Sequence, residues 1–590
     1  MSRPSHQTIG WGSAGAGWAS PGAWSVSRAL AEALYELGIH HAFGLLGGGI
    51  APFAAGMAAS PMRFSSFRHE AGAGFAAIEA HFATSRPTAV VVTTGPGLLN
   101  VLNAVMAARI DGAKLLVISG FTSRAQVGRG AVQETSLHTM PTELIRPGSL
   151  FDDVAIVETP DEIPSFLQRL QRGFASPGGW VAHLGLPLGL QMCMRDGPFQ
   201  VPRPWNVDPP RPPRDALEDC LEALLCPTSL LWVGHGARNA SAALRRLAEI
   251  ALLPVVCSPR GKGIFPERHR LFVGVSGAGG SAFVDDWFGR CTPRTTLVIG
   301  TRLGEVTSFL SPGLAPTERW LHVDVDPSAF GAAFPGVAGR GIIADARLFA
   351  EALLAEVVSM PGWLAARRRN AKDIPSAISA ASRRDGQVLE PAPCDVRPQF
   401  LMQVIQNRLV ERSAAVIMSE AGTSFTWCNA HLHFDEPDRY RTSAAWGSMG
   451  HLTAGCVGAA LTGSRRVVSV VGDGAMLMNN EINTAVQYQA RVIWIVLNDA
   501  QFGLNEHGMT ALGMEPVATQ LPRTDFVAFA RSQGADGVAV RVETDLEAAL
   551  ETALMADGPF VVDVRVDPTV PSPVIAERVM SLRRQGDVPA

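Results

Sequence analysis

Two acidic turns near the carboxyl end of the chain constrain its fold more than any other feature. One hydrophobic segment leads into the Gly-Asp-Gly turn at residues 472–474, and a second one leads into Asp499. This spacing predicts a strand, a turn, a helix, a second strand and a second turn, as in an open parallel α/β sheet. Such sheets bind ligands at the carboxyl edge of their strands, where Asp473 and Asp499 would both lie.

Two carboxylates at one sheet edge suit a divalent cation. Mg²⁺ takes few protein carboxylates and completes its octahedral shell with phosphate oxygens and water. The helix after Gly474 points free N–H groups at the same place, which favours a bound anion. These residues therefore predict a diphosphate held through Mg²⁺ by Asp473 and Asp499. An ordinary βαβ turn with two exposed aspartates is the alternative.

The block around these turns resembles the thiamin-diphosphate motif, in which GDG is followed after about two dozen residues by NN or ND. The resemblance implies that Asp473, Asp499 and the main-chain carbonyl of Gln501 bind the metal ion. It also implies cofactor contacts from the adjoining residues Gly472, Gly474, Ala475, Phe502 and Gly503.

A second block lies near the amino end of the chain. Arg68-His69-Glu70, with the later Gly-Pro-Gly turn at residues 95–97, resembles the acetohydroxyacid synthase (acetolactate synthase) branch of thiamin enzymes. The resemblance implies that Glu70 hydrogen-bonds the aminopyrimidine ring and activates the cofactor, and that Gly47 contributes to cofactor binding. The cofactor carries the hard chemistry, and the protein supplies orientation and electrostatics. The alternative for Glu70 is a carboxylate that complements the dipole of a helix N-terminus.

Two further segments resemble cofactor contacts of this family. Gly422-Thr423-Ser424 resembles a G-T-S turn that contacts the diphosphate, although a simple Ser/Thr turn has the same residues. Ser448-Met449 lies in a segment that resembles G-x-M-G, whose methionine wedges between the two cofactor rings. A thioether suits that position because it is apolar and adaptable, and a plain core methionine is the alternative.

Three positions bear on the reaction type and the substrate. Gln133 resembles a glutamine near the reacting carbon, and no adjacent His-His pair follows it, which favours carboligation over simple aldehyde release. Histidine relays protons near neutral pH, so His507 is a candidate catalytic residue, with a surface helix position as the alternative. Gly508 stands where acetohydroxyacid synthases have a bulky Trp, which predicts room for a larger substrate.

The middle of the chain departs from the FAD-binding members of the family. Residues 301–305 replace their R-F-D-D segment with Thr-Arg-Leu-Gly-Glu. FAD is therefore a possible cofactor that we do not favour, beside the predicted thiamin diphosphate and Mg²⁺.

Strands alternate with helices along most of the chain, which predicts an α/β protein with three doubly wound parallel-sheet domains. The predicted boundaries are a disordered extension at 1–23, a pyrimidine-binding domain at 24–195, a middle Rossmann-like domain at 214–360, a linker at 361–398, a diphosphate-binding domain at 399–575 and a C-terminal tail at 576–590. The resemblance implies a cofactor bound between the first domain of one subunit and the third domain of another. We therefore expect at least a homodimer, and favour a homotetramer.

Composition restricts the classes of partner. A net charge of −4 gives no reason to expect nucleic acid or an acidic membrane surface. No run of about 18 apolar residues occurs, so a membrane span is not expected. The eight cysteines show no zinc-like spacing, which suits a reducing cytoplasm.

Together these features predict a thiamin-diphosphate- and Mg²⁺-dependent carboligase that resembles acetolactate synthase. It would decarboxylate a pyruvate-like 2-oxo acid and transfer the acyl-anion equivalent to a carbonyl acceptor. A non-ligating 2-oxo-acid decarboxylase is the alternative on the same fold. A catalytically silent structural or regulatory homologue is an alternative of another class, and the intact Glu70, Asp473 and Asp499 argue against it.

Overall fold

The structure, a computed structural model, describes residues 23–203, 207–382 and 388–573, together with residues 575 and 579. The predicted extension lies outside the described residues except for residue 23, and the predicted C-terminal tail except for residue 579. No single helix in the described part is long and apolar enough to cross a membrane; the bent pair Ala346–Ser359 and Pro361–Ile378 meets the criteria of length and composition together.

The first domain is built on a six-stranded parallel sheet. The strands of the domain, six of which form this sheet, are β1 (Ala23–Ser25), β2 (His41–Leu45), β3 (Arg63–Ser66), β4 (Thr88–Val92), β5 (Lys114–Phe121), β6 (Asp153–Ile156), β7 (Trp180–Pro187) and β8 (Met194–Asp196). Its α-helices are α1 (Val26–Glu36), α2 (Ala51–Ala58), α3 (Glu70–Thr84), α4 (Pro96–Asn100), α5 (Leu102–Asp111), α6 (Thr142–Ile145), α7 (Ile163–Ala175) and α8 (Leu188–Gln191). The strand order is β3-β2-β4-β5-β7-β6, while β1 and β8 form a separate antiparallel pair.

The middle domain has a second six-stranded parallel sheet. Its strands are β9 (Leu230–Val233), β10 (Val255–Cys257), β11 (Phe272–Val275), β12 (Thr295–Ile299), β13 (Arg319–Asp324) and β14 (Gly339–Ile343). Its α-helices are α9 (Arg214–Leu224), α10 (Ser241–Ala251), α11 (Ala282–Arg290), α12 (Glu305–Ser308), α13 (Ala346–Ser359), α14 (Pro361–Asn370) and α15 (Ile374–Ser382). The order β11-β10-β9-β12-β13-β14 is that of a Rossmann sheet.

The third domain repeats the topology of the first. Its strands are β15 (Val416–Ser419), β16 (Tyr440–Thr442), β17 (Val467–Gly472), β18 (Val492–Asn498), β19 (Asp536–Val540) and β20 (Phe560–Arg565). Its α-helices are α16 (Pro398–Ile405), α17 (Thr423–His431), α18 (His451–Thr462), α19 (Asp473–Met478), α20 (Ile482–Gln487), α21 (Gly503–Ala511), α22 (Phe526–Ser532) and α23 (Leu546–Met555). The order β16-β15-β17-β18-β20-β19 matches that of the first sheet from β2 onward. Three parallel α/β sheets confirm the predicted fold class.

The stretch predicted as a linker, 361–398, carries the two helices α14 and α15 instead. Trp363 Nε1 donates a hydrogen bond of 2.9 Å to a main-chain carbonyl of α9. Arg367 is fully buried and its Nε donates to the carbonyl of Ala251 at 2.9 Å. The charged composition predicted a solvated connection, but carbonyl groups at the ends of other helices satisfy this guanidinium, so α14 packs onto the middle domain.

Helices α3 and α18 pack side by side and join the first domain to the third. A Cβ atom at Gly458 would lie 2.1 Å from the carbonyl oxygen of Ala76, and one at Gly455 would lie 2.7 Å from a side-chain carbon of Glu79. The two helices therefore approach as closely as they do only because glycine occupies both positions. One hydrophobic core runs through both domains across this contact.

A buried ion network ties the same interface to the middle domain. Arg441 donates to both carboxylate oxygens of Glu79 at 2.8 Å and to Asp111 at 2.7 Å. His451 Nε2 donates to Glu79 at 3.0 Å, and Arg260 of the middle domain donates to Asp111 at 3.3 Å. Burial by itself would raise the pKa of Asp111, but the two arginines outweigh it and hold that pKa below its usual range. The paired charges fix how the three domains meet.

Candidate functional site

A cavity of about 450 Å³ opens at the carboxyl edge of the third sheet, beside the middle domain. It lies where the strand order reverses between β15 and β17, the place at which open α/β sheets bind ligands. Twelve of the predicted cofactor and metal residues line it, namely Gly422, Thr423, Ser424, Met449, Gly472, Asp473, Gly474, Ala475, Asp499, Gln501, Phe502 and Gly503.

Two buried carboxylates meet in this cavity, one after β17 and one after β18. The Asp473 carboxylate accepts hydrogen bonds from the main-chain N–H groups of Gly474 at 2.7 Å and Ala500 at 2.8 Å. Burial, together with the neighbouring Asp499 carboxylate, raises the pKa of Asp473 to about 7. Burial also raises the pKa of Asp499. A divalent cation fits here because it would offset both the desolvation and the mutual repulsion.

The loop that follows Asp499 is held in one shape by its neighbours. Ala500 adopts a left-handed φ of +58°, and Gln501 Nε2 donates to the Pro568 carbonyl at 3.3 Å. A Cβ atom at Gly503 would lie 2.8 Å from an Asp499 carboxylate oxygen. Glycine at position 503 therefore allows the start of α21 to approach the carboxylate, and the loop sets the positions of Asp499 and Gln501 together.

The start of α17 also lines the cavity, and a Cβ atom at Gly503 would lie 3.4 Å from a side-chain carbon of Thr423. Gly422, at a φ of +116°, precedes the helix, and Thr423 is its first residue. Free N–H groups at such a helix start, with a threonine hydroxyl beside them, suit a phosphate group. The Ser424 hydroxyl is already engaged, because it donates to the Glu420 carbonyl at 2.8 Å.

Glu420 connects this helix start to the Met449 segment. Its buried carboxylate accepts hydrogen bonds from the main-chain N–H of Thr453 at 2.8 Å and from the Thr453 hydroxyl at 2.7 Å. It thereby caps the N-terminus of α18, which begins two residues after Met449. Burial raises the pKa of Glu420. Met449 lines the cavity, so its segment is held against the same carboxylate that precedes the Gly422 turn.

Glu70 and its neighbours form a second cluster, at the carboxyl edge of the first sheet. Glu70 begins α3 and accepts a hydrogen bond from Asn100 Nδ2 at 3.1 Å. Gln133, at a φ of +53°, accepts one from the Thr94 hydroxyl at 3.0 Å. Gly47 follows β2 at this edge, and a Cβ atom added there would lie 2.6 Å from the hydroxyl oxygen of Thr93 on the neighbouring loop. Within one chain, none of these three predicted residues lines the cavity.

Three models of one family match the chain in the order of its domains. Residues 24–140 match the N-terminal TPP binding domain of the thiamine pyrophosphate enzymes, residues 228–353 their central domain, and residues 420–564 their C-terminal TPP binding domain. Thiamine pyrophosphate is thiamin diphosphate. The chain belongs to the thiamine pyrophosphate enzyme family.

Curated relatives of this thiamine pyrophosphate enzyme align over all three domains. An acetolactate synthase large subunit of Parasynechococcus marenigrum (strain WH8102) is 28% identical over 571 residues, covering 93% of this chain and 88% of the relative. A 2-hydroxyacyl-CoA lyase of Arabidopsis thaliana is 27% identical over 566 residues, covering 91% and 95%. The acetolactate synthase isozyme 1 large subunit of Escherichia coli (strain K12) is 25% identical over 543 residues, covering 90% and 92%. The predicted resemblance to acetohydroxyacid synthases is thereby confirmed.

Three other positions that carried predictions, Ser448, His507 and Gly508, also lie outside the cavity lining of this thiamine pyrophosphate enzyme. The Ser448 hydroxyl accepts a hydrogen bond from Asn103 Nδ2 at 2.7 Å. His507 Nε2 donates to the Pro568 carbonyl at 3.0 Å, which leaves a buried Nδ1 without a partner among the described residues. Gly508 is outside the lining too, and a Cβ there would face Ile575 at 4.0 Å. Proton relay by His507 and a wider pocket at Gly508 stay predictions.

Sequence reasoning missed a carboxylate that holds the start of α3. Glu481, on the segment after α19, is buried and accepts hydrogen bonds from the main-chain N–H of Arg68 at 3.1 and 3.2 Å. It therefore holds the segment that leads into the helix beginning with Glu70, from a different domain of the same thiamine pyrophosphate enzyme, while the His69 side chain caps that helix by accepting from the Ala71 N–H. Burial raises the pKa of Glu481 to about 7. Its position eight residues after Asp473 places Glu481 near the predicted cofactor site in the sequence, but the local sequence does not indicate which helix it contacts.

The middle domain supplies further lining residues that no sequence motif indicated. The middle-domain residues that line the cavity are Glu305 and Val306, on α12, and Ala278 and Phe309, on the adjoining loops. Glu305 is the last residue of the segment that replaces R-F-D-D, and it brings a carboxylate to the lining of this cavity.

Proposed function

We propose that this protein is a thiamin-diphosphate- and Mg²⁺-dependent carboligase. It would decarboxylate a pyruvate-like 2-oxo acid and transfer the acyl group to a carbonyl acceptor, giving an acetolactate-like or acyloin product. The observation that carries the proposal is the cavity in which Asp473, Asp499, the Gly422 turn and Met449 meet. The relatives named as acetolactate synthases support a carboligase reaction for this protein. The relative named as a 2-hydroxyacyl-CoA lyase is consistent with a reaction at a carbon–carbon bond.

The residues of the cavity fit the proposed cofactor at each of its parts. Asp473, Asp499 and the Gln501 carbonyl would hold Mg²⁺, and the start of α17 with Thr423 would bind the diphosphate. The apolar thioether of Met449 would pack against the rings. When bound, thiamin diphosphate supplies an electron sink for the pair left behind when CO₂ departs.

We infer that a complete site needs a second copy of the chain. Within one chain Glu70 lies at another sheet edge, bonded to Asn100 and away from the cavity. Large apolar side chains are exposed on the loops and helices that follow both sheets, including Leu99 at 47%, Leu477 at 43% and Met478 at 62%. Such exposure is typical of an interface. In a homodimer, the first domain of each copy would pack against the third domain of the other copy and cover these apolar side chains. A homotetramer would contain two such dimers.

Two inactive variants test this assembly directly. Glu70→Gln and Asp473→Ala should each abolish turnover when expressed alone. Co-expressed chains should regain activity, because a mixed dimer has one site with both changes and one site with neither. Random pairing gives about a quarter of wild-type activity. No recovery despite isolation of mixed dimers would show that both residues act within one chain.

The reaction itself is tested by product analysis. The protein is incubated with thiamin diphosphate, Mg²⁺ and a panel of 2-oxo acids, with and without aldehydes, and the products are identified by mass spectrometry. A carboligase gives CO₂ and a new ligated product, whereas a non-ligating decarboxylase gives CO₂ and an aldehyde only. No CO₂ from any donor would favour a catalytically silent homologue. Glu70→Gln is the control, since it should slow thiazolium proton exchange, measured by NMR after acid quench, while cofactor binding persists.

A further inference from the structure

The middle domain contributes one ionisable side chain to the cavity, that of Glu305, the first residue of α12. Within the described part of the chain, the lining includes three carboxylates, those of Glu305, Asp473 and Asp499, and no Lys, Arg or His. The proposed Mg²⁺ would account for the two aspartates. Glu305 is left as a negative charge with no role in holding the cofactor.

The turn that carries Glu305 is fixed to the third domain. Ala278 donates its N–H to the Val306 carbonyl at 2.9 Å, and its own carbonyl accepts from Asn429 Nδ2 at 2.6 Å. A Cβ at Gly277, where φ is +71°, would lie 2.1 Å from the Val306 carbonyl oxygen. Since Asn429 belongs to α17, the position of Glu305 is tied to the helix whose first turn lines the cavity.

The backbone on either side of α12 is in an unfavourable conformation. Leu303 has a φ of +55° and Phe309 a φ of +48°, in the left-handed region that side chains other than glycine rarely adopt. The Ser308 hydroxyl holds the turn closed by donating to the Leu303 carbonyl at 2.7 Å. Strain of this kind persists where the surroundings impose it, and it clusters at functional sites.

Glu305 has no charge partner among the residues that the structure describes. The nearest cationic side chain in sequence, Arg302, is paired with Asp326 at 3.2 Å instead. The Glu305 carboxylate is exposed and therefore available to a molecule that enters the cavity.

We infer that Glu305 determines which acceptor the enzyme uses, an inference that rests on the proposed function. A carboxylate accepts strong hydrogen bonds from a hydroxyl or ammonium group and repels another carboxylate, most strongly where water is scarce. Glu305 thus selects a hydroxylated or amino-substituted carbonyl compound over a second 2-oxo acid. Repulsion of the wrong partner is itself a source of specificity.

A 2-oxo acid donor also brings a carboxylate into the cavity, but it loses that carboxylate as CO₂ before the acceptor reacts, so the effect of Glu305 on the acceptor is measured at a constant donor. The electron pair of the broken C–CO₂ bond forms the new C–C bond, CO₂ leaves, and the acceptor oxygen takes up one proton. When the acceptor enters, its carboxylate or hydroxyl group is therefore the one that meets Glu305.

The test compares acceptors at a constant donor, the 2-oxo acid that releases CO₂ fastest. Glycolaldehyde, propanal and 2-oxobutyrate present a hydroxyl, a methyl and a carboxylate group, respectively. In E305Q, kcat/KM should rise on the order of tenfold for 2-oxobutyrate and fall for glycolaldehyde, because repulsion between an exposed carboxylate and a second carboxylate lies close to its weak limit in water. The value for propanal should stay within about twofold. E222Q, at an exposed glutamate on α9, is the matched control and should change none of the three.

A second measurement avoids turnover altogether. Binding of 2-oxobutyrate to Glu70→Gln protein loaded with thiamin diphosphate and Mg²⁺, followed by ligand-observed NMR, should tighten when E305Q is added and not when E222Q is added. Equal acceptor ratios in wild type and E305Q, together with unchanged 2-oxobutyrate binding, would overturn the role of Glu305. CO₂ release without any acceptor tests the proposed function separately from the role of Glu305. If no CO₂ is released, the proposed function itself is overturned. If CO₂ is released but the acceptor ratios do not change, only the role of Glu305 is overturned.

Discussion

Replacing Asp473 by asparagine should stabilise the metal-free protein and weaken the proposed metal site. Without a cation, burial and the Asp499 carboxylate raise the pKa of Asp473 to about 7, from an ordinary value of 3.8. The folded protein therefore keeps a proton that the unfolded chain has already lost. The stability of the metal-free protein should fall as pH rises from about 4 to about 7 and stay constant above that.

The size of the effect follows from the pKa shift. Each pKa unit corresponds to 1.36 kcal/mol, so ionised Asp473 costs about 4 kcal/mol above pH 7. Asparagine does not titrate, but its NH₂ group must face one of the two main-chain N–H groups that Asp473 accepts, at a cost of about 1–3 kcal/mol. The net gain at pH 8 is then about 1–3 kcal/mol, and it should shrink by roughly 3 kcal/mol between pH 8 and pH 5.

The assay is denaturant unfolding of EDTA-treated protein at several pH values between 5 and 8. Asp208→Asn, at an exposed aspartate, is the control and should behave as wild type throughout. With Mg²⁺ and thiamin diphosphate present, wild type should gain more stability than Asp473→Asn, because the amide keeps a coordinating oxygen but loses the negative charge. A difference between Asp473→Asn and wild type that does not vary with pH would refute the reasoning, because it would mean that ionisation of Asp473 carries no cost.

Three further predictions concern the contacts between domains. Glu481→Gln should lower kcat by roughly 10- to 100-fold with little change in cofactor affinity, since it displaces the helix that begins with Glu70, the proposed activating residue, and leaves the cavity intact. Parallel turnover and calorimetry measurements check this. Gly458→Ala should lower the free energy of unfolding by about 1–3 kcal/mol, because it overpacks α3 against α18. The control is Gly289→Ala, where no atom lies within 4 Å of the new Cβ, and it should raise the free energy of unfolding by about 0.5–1 kcal/mol. Equal thermal shifts in the two variants would count against the close helix contact. Arg441→Met should cost about 3–5 kcal/mol, because it removes the guanidinium shared by two buried carboxylates and leaves Glu79 with only His451 and Asp111 with only Arg260 and Ser443. A melting temperature like that of wild type would exclude the network as an interdomain tie.

The elements of the cofactor cavity in the third domain were predictable from sequence for a simple reason. Asp473, Asp499 and Gly422 each follow a hydrophobic strand, and the carboxyl ends of parallel strands meet at one edge of a sheet. Local pattern and topology are sufficient to bring such residues together. The same reasoning places Glu70 at an edge of the first sheet, where the structure has it.

Only the tertiary structure decided which loops of different domains meet. Glu305 reaches the cavity because the middle domain packs against α17, and Glu481 reaches the start of α3 from a segment more than 400 residues away in the chain. Arg367 lies in a charged stretch that predicted a solvated linker, yet it is buried because carbonyl groups of other helices accept its hydrogens. Periodicity in a sequence reports which face of an element is apolar, but not which partner covers that face. Here the partners are set by long-range contacts, such as the approach of α3 to α18 that glycine allows at position 458.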